Sequence, residues 1–228
     1  MTEYQFTKDW FQWAPEVWTQ LIPMLPERKS FLEIGSFEGR SSIWIIENMM
    51  NPGDWIDCVD TWEGGEEHSE EDMGSVEKRF KYNVNLALGG AVVEERDAEH
   101  KFPYPVHTRY ASPAPTEGQR KRLYKYKCTS TQYLGSKLAS CVDNKNLFDF
   151  IYIDGSHIAK DVLTDACMAW PLLKPKGLMV FDDYLWSPSA RDILHRPKAA
   201  IDAFTNLFAE EVEIVHVGYQ LVVRKRGE

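Results

Sequence analysis

The chain of 228 residues carries a formal net charge of −9 and is 43% hydrophobic, so it can bury an ordinary core as one domain. This acidic balance argues against a nucleic-acid partner, because nonspecific affinity for phosphate backbones comes from clustered Lys and Arg. No stretch approaches the roughly 20 apolar residues of a membrane span. The N-terminus lacks a signal-peptide pattern, so we expect a cytoplasmic protein without membrane contact.

The predicted elements begin with an N-terminal helical segment, residues 1–28, in which an aromatic-rich helix covers 9–25. They continue with a strand in "SFLEI", a helix in "RSSIWIIENMM", a strand in "WIDCVD" and a helix over 75–88. Residues 89–122 show no clear period. We therefore treat 63–126 as a lid or substrate-region insertion, with the acidic loop 63–74 as the candidate lid.

The second half of the chain has a sharper pattern. It predicts a strand in "LYKYKC", a helix in "STQYLGSKLA", a strand in "FDFIYID", a helix in "AKDVLTDACMAWPLL", a turn in "KPKG", a strand in "LMVFDD", a helix in "PKAAIDAFTNLF" and a terminal hairpin around Gly218-Tyr219. This alternation predicts an α/β fold with a doubly wound, mostly parallel sheet. Such sheets bind ligands outside the carboxyl ends of their strands.

The four cysteines, Cys58, Cys128, Cys141 and Cys167, show no C-x-x-C spacing. We predict buried free thiols rather than disulfides or a zinc site, with Cys58 and Cys128 on strands and Cys167 on a helix.

The first strand runs into a glycine loop, "EIGSFEGRSS", in which Gly35 and Gly39 bracket a strand-to-helix turn. The spacing is not the G-x-G-x-x-G of a pyrophosphate cradle, and glycine turns of this kind are also common as purely structural features. Asp60 ends the second strand, where an acid can accept both hydroxyls of a ribose. A nucleoside attached to something small fits both features.

Four segments in this order, "FLEIGSFEGRSS", "VDTWEGG", "IYIDGSH" and "LMVFDDY", resemble class I S-adenosylmethionine-dependent methyltransferases. They look most like the small, metal-dependent O-methyltransferases with DGxH and DD motifs, over roughly residues 30–225. The resemblance implies a Rossmann-like sheet of seven strands whose last strand is antiparallel. The chain departs from that pattern between Trp62 and Tyr124.

The resemblance also implies cofactor-binding residues. The methionine moiety would lie along Glu33 and Gly35, the turn would be supported by Gly39 and Ser41, the ribose would be held by Asp60, the adenine would be bordered by Thr129 and Ser130, and Asp154 would also face the cofactor.

Two apolar strands end in carboxylates, namely Asp154 and the pair Asp182 and Asp183. If these strands are neighbours, their ends lie about 5 Å apart, and two like charges there repel by about 3 kcal/mol at an effective dielectric constant of 20. The three acids would raise one another's pKa values or recruit a hard cation, Mg²⁺ more plausibly than Zn²⁺, with Mn²⁺ or Ca²⁺ as options. Alternatively, Asp182 or Asp183 caps the next turn or accepts backbone N–H bonds.

His157 lies just beyond Asp154, and both are candidate catalytic residues. An imidazole suits a general base for a hydroxyl, although a metal ligand or a helix cap is also compatible with this position. The other histidines, His68, His100, His107, His195 and His216, are predicted to be solvated or packed, with His195 as a candidate pocket residue. Trp62, Tyr184 and Trp186 follow strand ends and are candidates for stacking.

The sequence therefore predicts a single-domain S-adenosylmethionine-dependent O-methyltransferase, assisted by a divalent metal, that acts on a hydroxyl of a small molecule, sugar or natural product. The resemblance also allows a homo-oligomer. A nicotinamide-dependent oxidoreductase is the first rival, which the absent G-x-G-x-x-G disfavours. A non-catalytic nucleoside-binding protein of the same fold is the second, and the complete set of candidate site residues disfavours it.

Overall fold

The computed structural model describes residues 3–65, 71–96, 105–140, 147–187 and 193–227. Helices and strands alternate along most of this part of the chain. The α-helices are α1 Ala14–Leu21, α2 Arg40–Asn48, α3 Met73–Ala87, α4 Ser130–Ser140, α5 Ala159–Ala169 and α6 Pro197–Leu207. The strands are β1 Ser30–Ile34, β2 Trp55–Asp60, β3 Val92–Arg96, β4 His107–Ala111, β5 Arg122–Lys127, β6 Phe148–Ile153, β7 Leu173–Phe181, β8 Val212–Val217 and β9 Leu221–Lys225.

These strands form one sheet in the order β3-β4-β5-β2-β1-β6-β7-β9-β8. The central strands β5, β2, β1, β6 and β7 are parallel, and β9 is antiparallel to both of its neighbours. The predicted α/β fold with an antiparallel last strand is therefore confirmed. The expected count of seven strands is wrong for the described residues, because the antiparallel strands β3 and β4 extend the sheet beyond β5. His107 accordingly lies on a strand rather than in an irregular stretch.

Two other boundaries differ from the prediction. The first helix begins at Ala14, so residues 9–13 lie outside it, and a short 3-10 helix over Ile22–Met24 follows it. The predicted turn "KPKG" lies inside β7 as an irregularity: Leu173 pairs with Phe148, and pairing resumes where Leu178 meets Phe150. The left-handed φ of Lys176, +64°, fits such a bulge.

Two apolar cores cover the two faces of the sheet. Phe150 packs in the core with α1, α2 and α3, whereas its neighbour Ile151 packs in the core with α4, α5 and α6. This alternation is expected of a strand that is buried on both faces. The central strands β1 and β6 are buried along their whole length. The sheet is thus rigid where its carboxyl ends carry polar residues.

The cysteines agree only in part with the prediction. Cys58, Cys128 and Cys167 are free thiols, but Cys167 is exposed on α5 and Cys128, just after β5, is half-buried. Cys141 lies outside the described residues. No described helix has the length and apolar character needed to span a membrane.

Gly35 is required where the ends of three strands meet. Its N–H donates to the carbonyl of Val59 at 2.9 Å, and the N–H of Asp154 donates to the carbonyl of Ile34 at 2.8 Å. Gly35 has φ +85°, and a Cβ at this position would lie 2.0 Å from the carbonyl oxygen of Asp154. The glycine is therefore demanded by contact between protein backbones, before any ligand is considered.

We expect Gly35→Ala to destabilise the fold far more than Gly89→Ala. Both residues have a positive φ, but a Cβ at Gly89 would have no neighbour within 4 Å. Gly89→Ala should lower the free energy of unfolding by about 1–2 kcal/mol, the cost of a left-handed alanine. Gly35→Ala adds a steric overlap with backbone and should lower it by at least about 3 kcal/mol. Urea denaturation measures both, and equal losses would contradict this account.

Candidate active site at the carboxyl ends of the parallel strands

A cavity of about 1180 Å³ opens where β1, β2, β5, β6 and β7 end. Binding pockets for single drug-sized ligands commonly measure about 300–1,000 Å³, so this cavity has room for a large ligand and a second, smaller one. Its lining includes residues 34–38, 59–61, 128–131, 154–158, 182 and 183, together with residues 8–13 of the N-terminal segment.

Asp60 holds the glycine loop in place. Its Oδ2 atom accepts hydrogen bonds from the backbone N–H groups of Ser36 and Phe37, each at 2.9 Å, and its Oδ1 accepts one from the N–H of Trp62 at 2.7 Å. The indole of Trp62 in turn donates to the carbonyl of Phe37 at 2.9 Å. Asp60 remains half-exposed at the cavity, and carboxylate oxygens can accept further bonds. The Asp60 carboxylate is therefore preorganised at the cavity, and its role toward a ribose stays a prediction.

Glu33 differs from its predicted position. Its side chain is completely buried beneath the loop and does not line the cavity. The Ser41 hydroxyl donates to Glu33 at 2.5 Å, and the Ser42 hydroxyl donates to its other oxygen. Burial raises the pKa of Glu33, and the serine hydrogen bonds oppose that shift. Glu33 therefore supports the start of α2 from below, because its side chain points into the core.

Gly39 and Ser41, the two other predicted loop residues, differ in whether they line the cavity. Gly39 precedes α2 with φ +82°, and a Cβ there would meet the ring of Phe80 at 2.9 Å, so it too is required by packing. It does not line the cavity, whereas Ser41 does. The Ser41 hydroxyl is nevertheless committed to Glu33, which leaves it in a supporting role.

Thr129 and Ser130 line the cavity at the start of α4, as predicted. A buried carboxylate that the sequence analysis did not identify, Asp165 on α5, lines the same region and accepts a hydrogen bond from Ser130. Burial raises the pKa of Asp165 to about 6, and the Ser130 bond opposes that shift. The cavity therefore has a polar end at α4 and α5.

Tyr152 joins two of the strand-end carboxylates. It lies on β6, and its hydroxyl is 3.0 Å from Oδ2 of Asp154 and donates to Asp182 on the adjoining strand end. Asp154 is exposed to the cavity. Loss of hydration among the surrounding protein atoms raises the pKa of Asp154 well above the ordinary value, and the charges of Asp182 and Asp183 raise it further. Burial, then the charge of Asp183, raises the pKa of Asp182 to about 6.

Asp183 forms a separate chain of contacts with His157 and Tyr219. Nε2 of His157 lies 2.6 Å from Oδ2 of Asp183, and the hydroxyl of Tyr219 donates to Oδ1 at 2.7 Å. Asp183 has a left-handed φ of +56°, a conformation that residues other than glycine rarely adopt. The ring of His157 packs against Trp186, with their centroids 4.3 Å apart. All four side chains line the cavity.

The three predicted metal ligands thus converge on one cavity but have different partners. Asp154 and Asp182 share the hydroxyl of Tyr152, whereas Asp183 contacts His157 and Tyr219. Among the residues that the structure describes, no three His, Cys, Asp or Glu side chains are arranged as a metal site. The donor chemistry still suits a hard cation, because Asp154 and Asp182 repel one another when both are ionised. A metal at this position therefore stays a prediction.

Some of the remaining candidates line the same cavity and others lie elsewhere. Trp186 and His195 line it, whereas the hydroxyl of Tyr184 bonds Asp202 and Lys198 instead. Trp62 is buried against Phe80 and supports the loop. His216 lies on β8, as predicted. His68, His100 and the centre of the candidate lid, 66–70, lie outside the described residues.

Tyr152, Tyr219 and the N-terminal tryptophans Trp10 and Trp13 were missed as site residues. Tyr152 carried a readable signal, since a hydroxyl inside a fully buried strand needs a partner. Tyr219 was identified only as part of a hairpin turn. Trp10 and Trp13 were placed within the predicted helix 9–25, but they precede α1 and are 58% and 67% exposed, respectively.

The structure resembles solved O-methyltransferases. The O-methyltransferase TomG from Streptomyces achromogenes, involved in tomaymycin synthesis and solved with S-adenosylmethionine, superposes with a TM-score of 0.59 at 16% identity, over 94% of this chain and 81% of TomG. An O-methyltransferase from Bacillus cereus, solved with S-adenosylhomocysteine, gives a TM-score of 0.54 at 16% identity, over 98% of this chain and 84% of the other.

The methyltransferase MycE of mycinamycin biosynthesis, solved with Mg, S-adenosylhomocysteine and mycinamycin VI, gives a TM-score of 0.53 at 14% identity. That superposition covers 97% of this chain but 51% of MycE. At these identities, the resemblance establishes the fold. A comparison with curated protein sequences gives no significant match.

A family model described as a methyltransferase domain matches residues 32–184, which is more than half of the chain. The matched segment begins in β1 and ends just after Asp183, so it contains the glycine loop and every strand-end carboxylate discussed above. The resemblance to class I S-adenosylmethionine-dependent methyltransferases that the sequence motifs suggested is thereby confirmed, and the chain belongs to the methyltransferase-domain family.

Proposed function

We propose that the chain transfers a methyl group from S-adenosylmethionine to a hydroxyl of a small acceptor. One observation carries this proposal: a single cavity holds the Asp60-anchored glycine loop and, at the neighbouring strand ends, the His157–Asp183 pair. The first feature suits a nucleoside, and the second suits proton removal from a hydroxyl. The solved neighbours TomG and MycE, with their S-adenosyl ligands, support the same assignment.

The cofactor would lie across the carboxyl ends of β1, β2 and β5. Asp60 would hold the ribose, the backbone of Gly35 would approach the methionine part, and Thr129 and Ser130 would border the adenine. Bound S-adenosylmethionine supplies the methyl group as an electrophilic sulfonium. Positioning of the acceptor oxygen would therefore account for most of the protein's contribution to the rate.

His157 would take the proton of the acceptor hydroxyl. The proton would go to Nδ1, because Nε2 carries the other ring proton and donates it to the carboxylate of Asp183 at 2.6 Å. That carboxylate, which Tyr219 fixes from its other oxygen, would stabilise the imidazolium that forms. Contact with Trp186 holds the plane of the imidazole ring. The three neighbours together keep the base in one orientation, which is what general-base catalysis requires.

A metal-assisted version is the second candidate, and the raised pKa values of Asp154 and Asp182 favour it. Asp154, Asp182 and Asp183 would hold a divalent cation, for which Mg²⁺ is the most suitable ion. When bound, such a cation lowers the pKa of a hydroxyl on the acceptor and fixes its oxygen. An acceptor with a neighbouring second oxygen would suit this site best. The Mg in the MycE structure supports this candidate.

Asp60→Asn should weaken binding of S-adenosylmethionine at least tenfold in titration calorimetry. The amide keeps the size of the side chain but loses one of the two oxygens that hold the loop and the ribose, and a lost charge-assisted hydrogen bond costs about 1.5–3 kcal/mol. Glu63→Gln is the matched control, because this exposed acid lies three residues away and outside the cavity. Unchanged affinity in Asp60→Asn, or no binding to the wild type, would refute the cofactor assignment.

His157→Ala should lower kcat by about 10²–10⁴-fold, the usual contribution of a general base. The rate of the wild type should fall at low pH, because a protonated imidazole accepts no proton. His157→Ala should lose that acidic limb of the pH–rate profile. Tyr219→Phe keeps the ring and removes only the hydrogen bond to Asp183, so a severalfold decrease is expected. An acidic limb that persists in His157→Ala would assign the base to another group.

Mg²⁺ should raise the thermal midpoint of the wild type and have a smaller effect on Asp182→Asn. Asp182 has a pKa raised to about 6, so its carboxyl group is mostly protonated at pH 5 and mostly ionised at pH 7.5. The increase caused by Mg²⁺ should consequently be larger at pH 7.5, by a few degrees if binding stabilises the fold by about 1–2 kcal/mol. Equal thermal midpoints with Mg²⁺ and with EDTA, together with full activity in EDTA, would contradict the metal-assisted candidate and favour the metal-free one.

A further inference from the structure

The N-terminal strap, residues 3–13, forms a wall of the cavity that the proposed chemistry does not use. Residues 8–13 all contribute to the lining, although they precede the first helix. The family match begins only at residue 32, so the strap lies outside the matched segment.

Hydrogen bonds to Glu38 and Asn83 fix the strap to the rest of the protein. The N–H and hydroxyl of Thr7 donate to the two oxygens of Glu38 at 2.7 and 2.8 Å. Gln5 exchanges two hydrogen bonds with the side chain of Asn83, at 2.7 and 3.0 Å, and Asn83 also donates to the carbonyl of Glu38. Glu38 is 2% exposed and Asn83 is completely buried. The strap is therefore attached directly to the loop that would hold the cofactor.

Two tryptophans on this fixed segment remain largely open to solvent within the cavity. Trp10 is 58% exposed and packs on Phe37 of the glycine loop, with the ring centroids 5.2 Å apart. Trp13 is 67% exposed and immediately precedes α1. Between them, Phe11 is buried against Trp18, which anchors the backbone that carries both rings. Large apolar rings carried by an anchored backbone in an open cavity are typical of binding hot spots rather than of a solvated surface.

We infer that Trp10 and Trp13 form a platform for the acceptor and that the acceptor is a molecule with a flat apolar ring. This inference rests on the proposed function for the identity of the reaction, and it adds the class of acceptor. Indole rings stack on flat ring systems with little loss of conformational entropy. A sugar, which was an equal option from the sequence, can also stack a C–H face on an indole, but it presents less apolar area than an aromatic ring, so a flat apolar ring suits two exposed indoles better. Trp186 beside His157 extends the aromatic lining to the proposed base.

Naphthalene-2,3-diol is the probe, because it has a flat apolar ring and two adjacent hydroxyls. Its binding is titrated by calorimetry, with and without saturating S-adenosylhomocysteine, against wild type, the double variant Trp10→Ala/Trp13→Ala and the single variant Trp13→Ala. Leu207→Ala is the matched control, because Leu207 is 77% exposed but lies on α6 outside the cavity. Methyl α-D-glucopyranoside is the non-aromatic probe with adjacent hydroxyls.

The wild type and Leu207→Ala should bind the diol alike, and the double variant should bind it at least tenfold more weakly. Affinity for S-adenosylhomocysteine should stay within twofold in every variant. Trp13→Ala should still fold, because the ring of Trp13 is mostly exposed. If the double variant does not fold, this single variant should show a severalfold loss of affinity for the diol.

Equal diol affinity in wild type and variants, no diol binding to wild type, or tighter binding of the glucoside would overturn the platform. So would a change of oligomeric state in light scattering without a change in diol affinity, since the tryptophans would then cover a second copy of the chain. Failure of the proposed function has a separate signature: wild type would not bind S-adenosylhomocysteine, while the diol titration without it would still report on the platform.

Discussion

The close contact between the ends of β1 and β6 is the constraint on which the site depends. Gly35 lies so near the carbonyl of Asp154 that no side chain fits between them, and hydrogen bonds from each strand end to its neighbour fix the register. The glycine loop and the Asp154 segment consequently leave the sheet side by side. A ligand on the loop is then necessarily close to the strand-end carboxylates, so the fold itself brings the proposed cofactor region and the proposed catalytic region together.

The carboxylates around this contact are stabilised in different ways. Asp60 accepts three backbone N–H bonds, so its charge is satisfied within the protein and preorganises the loop. Asp154 and Asp182 share one tyrosine hydroxyl, and Asp182 also accepts hydrogen bonds from the N–H of Asp183 and from Gln220. Their pKa values are nevertheless raised, so these bonds compensate their charges only in part. An enzyme tolerates such local repulsion where a cation or a reacting proton relieves it. We therefore interpret Asp60 as a binding group and Asp154 and Asp182 as the chemically responsive groups.

The sequence predicted the site best where polar residues interrupt apolar strands, because the carboxyl ends of parallel strands must meet. Asp154, Asp182, Asp183 and His157 were located in this way and do share one cavity. Glu33 was misplaced because an acid inside a strand can point either to a ligand or into the core. Its partners, Ser41 and Ser42, lie on the next helix, and only the folded chain shows that they capture it.

The β3–β4 hairpin and the N-terminal strap were missed for a related reason. The hairpin strands "VVEER" and "HTRYA" carry many polar residues, and their pairing with the sheet edge is a long-range property. In the strap, Trp10 and Trp13 fit a helical spacing with Val17 and Leu21, so the pattern favoured a longer helix. Residues 10–13 instead form a turn, in which the N–H of Ala14 donates to the carbonyl of Phe11 at 3.1 Å. Hydrogen bonds to Glu38 and Asn83, distant in the chain, hold residues 5–7 just before it.

The N-terminal segment is connected to the reactive carboxylates as well as to the loop. The indole of Trp18 on α1 donates to Gln220 at 2.8 Å, and the Gln220 side chain hydrogen-bonds Asp182. Trp18 and Gln220 are buried, so this connection is not exchanged for water. One end of the segment thus contacts the loop that would bind the cofactor, and the helix that follows it is connected through Gln220 to Asp182. A segment tied at both points can place an acceptor relative to the proposed methyl donor and to Asp182 at once, and the precision of that placement is what the proposed methyl transfer needs most.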